Sequence, residues 1–189
     1  PGVLLYDIES DPDPRHDFLH GFWSLPCGSD GRWDLAAARY QPLLVLAEHG
    51  EPRCWQRIAR YINHYEDWPL LHYGETESLA LLRMAQRQGV SEPQRARLRR
   101  RLVDVHARIR HHWRLPLSSY GLKSVASWQG FQWSQSGVDG AHALLWWRHW
   151  QGEGPERRGS SHALRWIFEY NHDDCRATWA VADWLRRQD

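Results

Sequence analysis

The stretch "HALRWIFEYNHDDCRATWAVADWLRRQ", residues 162 to 188, constrains the fold more than any other part of the chain. Its apolar residues recur at helical spacing, and one stripe runs through Ile167, Tyr170, Thr178, Val181 and Leu185. A helix of this kind must bury that stripe against other elements. Asp174 lies on the same stripe, four residues after Tyr170, so it points into the protein. A lone buried carboxylate is costly, so Asp174 requires a partner, either one of the many arginines or a bound cation. Its neighbour Asp173, about a quarter turn away, is expected to face solvent.

The covering surface is legible in the first half. Residues 3 to 9 and 17 to 26 read as strands, with a Pro-Asp-Pro turn at 12 to 14 between them. Residues 42 to 50 read as a third strand. A helix follows over 51 to 65, with Trp55, Ile58, Ala59 and Ile62 on one face and Pro52 in its first turn. A short buried strand is expected over 68 to 74, then a helix from Glu75 closed by Gly89. Beyond it, residues 102 to 109 can open as a strand, and helices are expected over 120 to 130, closed by Gly130, and over 141 to 150. Residues 151 to 161 are linker-like. Three strands, then helix, strand and helix, then a helical half, predict an α/β fold on one central sheet, and 189 residues fit one domain spanning the chain.

The first strand ends in an unusual way. In "LLYDIESDP" Asp7 and Glu9 are two residues apart, which on an extended strand puts them on one face. Like charges held side by side oppose folding by a few tenths of a kcal/mol, roughly. Either the strand ends before Glu9 and both acids are solvated, or a cation sits between them. A second acidic pair, Glu75 and Glu77, opens the helix after the short strand "LLHYG". There they complement the helix dipole, and they also stand at a strand's carboxyl end, where open α/β sheets place their sites.

Composition narrows the class. Hydrophobic residues make up 42% and charged residues 25%, and no apolar run approaches the ~20 residues needed to span a membrane. Nothing at the start reads as a secretory signal, and Pro1 in place of Met predicts a piece of a longer polypeptide. Cys27, Cys54 and Cys175 are odd in number and far apart, which fits a reducing, cytoplasmic setting better than a disulfide framework. Lys123 is the only lysine among 24 basic residues, and "RARLRRRL", Arg95 to Leu102, is a local basic cluster that reads equally as a solvated helix face or a nucleic-acid contact. Of 13 tryptophans most must pack in the core, with Trp146, Trp147 and Trp150 the candidates for base stacking. His106, His111 and His112, or His162 with His172, raise zinc as a rival, but neither set has the spacing that puts two rings on one ion. Cys175 has no activating base in sequence and reads as packing.

Four motifs in order, "LLYDIESDP...FLHGFW", "LLHYGETE", "YGLKSVASWQGFQW" and "YNHDDCRAT", resemble the YprB-type ribonuclease-H-like domain, within the DEDD exonuclease group of the ribonuclease-H-like superfamily. The resemblance runs from Leu4 to about Leu185. It implies a mixed central sheet, three antiparallel strands plus parallel strands, flanked by helices. It implies Asp7, Glu9, Glu77 and Asp174 as ligands of two divalent cations, Mg²⁺ or Mn²⁺, with Tyr170 orienting the attacking water. Here His72 stands where the family pattern has Asn and Glu77 where it has Asp, one methylene longer. Lys123 matches a family lysine that would contact a substrate phosphate or anchor an acid, and Asp104 resembles a further acid in a supporting role. The implied activity is 3'-5' exonuclease cleavage of single-stranded nucleic acid, DNA or RNA. Such domains also occur fused to RecB-like nuclease modules and helicases in the same polypeptide. An inactive nucleic-acid-binding domain and a structure-selective endonuclease are the alternatives.

Overall fold

The computed structural model describes residues 1–13, 16–158 and 161–188. Its elements are, in order, β1 (Gly2–Asp11), β2 (His16–Pro26), β3 (Arg39–Leu44), α1 (Gly50–His64), β4 (Leu70–His72), α2 (Glu75–Arg87), α3 (Glu92–Arg101), β5 (Leu102–Asp104), α4 (Val105–His112), α5 (Leu122–Trp128), α6 (Gly140–Gly152), α7 (Pro155–Arg158) and α8 (His162–Arg186). The strands form one mixed sheet in the order β3-β2-β1-β4-β5. β1, β2 and β3 pair antiparallel, while β4 and β5 run parallel to β1. This is the sheet that the resemblance implies.

The central strand β1 sorts its side chains by alternation. Leu4, Tyr6 and Ile8 face a core built with Phe22, Trp55, Ile58 and Leu81, under α1 and α2. Val3 and Leu5 face the opposite core, where Cys175, Ala177 and Val181 of α8 lie against the sheet. The expected stripe of α8 is therefore buried at Ile167, Tyr170, Asp174, Thr178 and Val181, with Leu185 half-buried. β1 continues beyond Glu9, and the register shifts by a bulge between Glu9 and Ser10. Bulges re-aim side chains at the ends of strands, and this one falls where the acids stand.

Several boundaries differ from the expectation. The third strand is β3 at 39–44 rather than 42–50, because its pairing with β2 runs from Arg39 to Leu44 and the chain then turns toward α1 through Gly50, whose φ is +65°. Residues 102 to 109 are strand only as far as Asp104, whose carboxylate accepts from Ala107 N and so starts α4. Gly89 and Gly130, at φ +73° and +88°, follow α2 and α5 as helix-closing glycines. The linker-like stretch contains α7, and Pro14, Gly159 and Ser160 lie outside the described residues. The basic cluster of α3 is a solvated face in which Arg95 and Arg99 reach Glu92, Arg97 reaches Glu66, and Arg101 caps the carbonyls of Ile62, Tyr65 and Trp68. No helix among the described residues is long and apolar enough to cross a membrane.

Candidate metal centre

Alternation carries the Leu5 face of β1 outward to Asp7 and then Glu9, next to the point where α8 crosses the sheet. Glu9 is 7% exposed and Asp7 half-buried. Between them and the helix sits Asn171, fully buried, whose Nδ2 donates to Asp7 Oδ2 at 2.7 Å and to Glu9 Oε1 at 3.3 Å. The Tyr40 hydroxyl donates to Asn171 Oδ1 at 2.8 Å, which fixes the amide with its N–H groups toward the acids. Gly21, paired with Asp7 across β1 and β2, makes room for this arrangement: a Cβ there would lie 1.7 Å from Asn171 Oδ1.

One helical step further along α8, Asp174 is 9% exposed and accepts from Trp133 Nε1 at 2.6 Å. Asp7, Glu9 and Asp174 each offer an oxygen within 4.8 Å of the others, the one such group of metal-capable side chains among the described residues. No arginine or lysine bonds to any of the three among the described residues; their side-chain donors are the Asn171 amide and the Trp133 indole. Burial, and then repulsion from Asp174, push Asp7 and Glu9 well above the ordinary carboxylate range. Asp174 is raised to about 6, chiefly by burial. Three carboxylates converging with no cationic side chain bonded to them fit a divalent metal ion.

A family model described as the RNase H superfamily matches residues 4–186. The chain belongs to the RNase H superfamily. No curated protein and no solved structure gives a significant match. An RNase H-like chain is nuclease-like, with nucleic acid as its kind of partner, and its acidic group stands at the carboxyl ends of the parallel strands, where open sheets carry their sites.

Other sequence-derived residues of this RNase H-like domain fall around that group. Glu77, in the first turn of α2, lies outside the group of three but lines the same cleft as Asp7 and Asp174, about 980 Å³ in volume. Its Oε2 is buried without a hydrogen-bond partner, and burial raises the carboxyl to about 7. Glu75 is exposed. Asp104 bonds backbone: its Oδ1 accepts from Gly74 N at 2.9 Å and from Ala107 N at 3.1 Å, which ties the β4–α2 turn to the start of α4. His72, in the Asn position of the pattern, is bonded to Gly74 O at 2.6 Å. Lys123 hydrogen-bonds the Val138 carbonyl and lies 5.1 Å from the centre of the Tyr170 ring, close enough to favour the ionised forms of Asp174 and Glu9.

Some expectations are corrected. Asp173 is 2% exposed, because the loop after α5 folds over α8 and Ser134 N donates to its carboxylate at 2.6 Å while Arg176 pairs with it at 3.0 Å. Trp147 and Trp150 are buried, Trp147 stacked on Phe18 at 4.5 Å, whereas Trp146 is half-buried against Trp166. The histidine sets do not form ligand groups: among the described residues no histidine joins a metal-capable cluster. His111 and His112 are exposed, while His162 stacks on Trp166 and His172 on Tyr40. Sequence reasoning missed Asn171, Trp133, Tyr40 and Gly21. Asn171 carried a signal, since it lies three residues before Asp174 and therefore near the same inward face.

Proposed function

We propose that this domain is a two-metal-dependent nuclease that hydrolyses phosphodiester bonds stepwise from the 3' end of a single strand, a DEDD-type exonuclease of the tyrosine variant and of the YprB type. The observation that carries the reading is the convergence of Asp7, Glu9 and Asp174 within 4.8 Å with no basic side chain bonded to them among the described residues. In this reading Asp7, Glu9 and Asp174 hold the divalent cations, with Glu77, which lines the same cleft, as a further ligand. Bound there, Mg²⁺ or Mn²⁺ supplies an activated water and neutralises charge on the leaving 3' oxygen.

The chain's own groups do the rest. Asn171 and Tyr40 hold Asp7 and Glu9 in register, and Trp133 holds Asp174. Burial, followed by repulsion from Asp174, Glu9 and Asp7, pushes the Tyr170 hydroxyl far above its ordinary range. As a protonated hydroxyl it would orient the water by hydrogen bonding rather than act as a base. Lys123 holds the Tyr170 ring by its charge and offsets part of the acids' repulsion, a positioning role toward the same centre.

The test is one gel. End-labelled DNA and RNA single strands with Mn²⁺ should give a ladder running down to 5'-mononucleotides with the parent protein, and no products above background with Asp7→Asn. Internal cuts in place of a ladder would assign an endonuclease, and equal cleavage by Asp7→Asn would remove Asp7 from the site.

A further inference from the structure

The cleft that contains Asp7, Glu77 and Asp174 has a second wall of opposite sign. Arg110 in α4 and Arg114 just beyond it line the same cleft, and His111 stands between them. Both arginines are exposed and, among the described residues, neither forms a salt bridge. That is unlike much of this arginine-rich surface, where Arg87, Arg95, Arg97, Arg148 and Arg165 each reach a carboxylate. These two share a cleft with five acids, Asp7, Glu75, Glu77, Asp104 and Asp174, and pair with none of them among the described residues.

This separation has a physical consequence. An acidic floor repels a phosphodiester, and a cation held there offsets the repulsion only at the floor itself. The phosphates that follow the reacting one need their own positive charge. Guanidinium groups suit that purpose, because the planar fork presents paired donors to phosphate oxygens. A cleft of about 980 Å³ stands at the upper end of the ~300–1,000 Å³ range of ligand sites, with room beyond the reacting group for more of a strand.

We propose that Arg110 and Arg114, with His111, form the track that grips the phosphate backbone of the strand leading into the acidic centre. The proposal deepens the nuclease reading and rests on it for where the strand leads. The opposite side of the sheet supplies an internal control. Arg57 and Arg60 on α1 are likewise exposed and free of salt bridges among the described residues, but they line a separate depression beside Tyr61 and His64.

The experiment is fluorescence anisotropy with a fluorescein-labelled single-stranded oligonucleotide in EDTA over a range of salt, on the parent and on two double variants. Arg110→Ala/Arg114→Ala should weaken binding about tenfold or more and reduce the slope of log K against log salt by about 1.4, two phosphate contacts at ~0.7 each. Arg57→Ala/Arg60→Ala should leave affinity and slope close to the parent's. The track is overturned if the Arg110/Arg114 variant binds like the parent, if both variants lose affinity alike, or if the parent binds no strand. Repeating the series with Mn²⁺ on a gel separates the two readings: a strand held through Arg110 and Arg114 but never cut would refute the nuclease and keep the track.

Discussion

The two faces of β1 are built from the same strand, by the same alternation and at similar depth, yet they end differently. On the α1 face Leu4, Tyr6 and Ile8 close an apolar core in which the Tyr6 hydroxyl lies 2.8 Å from His20 Nδ1, while His20 Nε2 and the Tyr61 hydroxyl are buried without a partner. On the α8 face Val3 and Leu5 begin in the same way, but the strand goes on to Asp7 and Glu9, which meet Asp174 with no basic side chain bonded to them. Both faces hold buried polar atoms without a partner, so what distinguishes the site from the core is like-charged carboxylates converging with no basic side chain bonded to them. The α1 face should answer to stability, and the α8 face to metal.

The largest effect belongs to the α1 face. Phe22 is fully buried there between Tyr6 and Tyr61, and Phe22→Ala should cost about 3–5 kcal/mol, measured by urea unfolding. The same variant should bind Mn²⁺ as the parent does wherever it remains folded. Equal loss of metal affinity would mean that the faces are not independent.

Next comes Gly21→Ala, which acts on the α8 face without touching a carboxylate. The new Cβ would meet Asn171 Oδ1 at 1.7 Å, so the amide must leave Asp7 and Glu9. Removing the group that orients metal ligands typically lowers metal affinity about 10–100-fold, and that is the expectation for a Mn²⁺ titration, with an overpacking cost of about 1–3 kcal/mol in stability.

The smallest effect is a dependence on pH. Burial, and then repulsion from Asp174, hold Asp7 and Glu9 well above the ordinary carboxylate range, while burial raises Asp174 to about 6 and Glu77 to about 7. The metal-free fold therefore binds more protons than the unfolded chain, and it loses stability as pH rises through those values. Its melting temperature should rise by about 4 °C, worth roughly 1–2 kcal/mol, between about pH 8 and about pH 6.5. Below that window His20, which burial lowers to about 4, works in the opposite direction, since it stays neutral in the fold and protonates in the unfolded chain. Saturating Mn²⁺ should flatten the curve, because ligated carboxylates stay ionised. A metal-free curve already flat across the window would mean that the acids are solvated and unstrained.

What the sequence made legible follows from periodicity. Period two put Asp7 and Glu9 on one face, and period 3.6 put Tyr170 and Asp174 on one stripe; both patterns register orientation, and the structure has those orientations. Periodicity does not register depth or what a loop lays over a helix. Asp173 points away from the sheet as its rotation requires, yet it is buried because residues 131–135 cover it and bond it through Ser134. Trp133 comes from the same loop and was invisible for the same reason. The space that Asn171 fills is the absence of a side chain at Gly21, a long-range complementarity that no local pattern encodes. The place after a strand marks Glu75 and Glu77 alike, and only the resemblance singles out Glu77; how far it lies from the other acids depends on the packing of α2 against the sheet.

On the proposed reading Asp7, Glu9 and Asp174 converge to hold a divalent cation. Calorimetric titration of Mn²⁺ into the metal-free protein near pH 7.5 tests it directly, with Asp7→Asn as the comparison. Saturable binding to the parent, lost in the variant while the variant remains folded, is the predicted result; no binding to the parent, or unchanged binding to the variant, would contradict it.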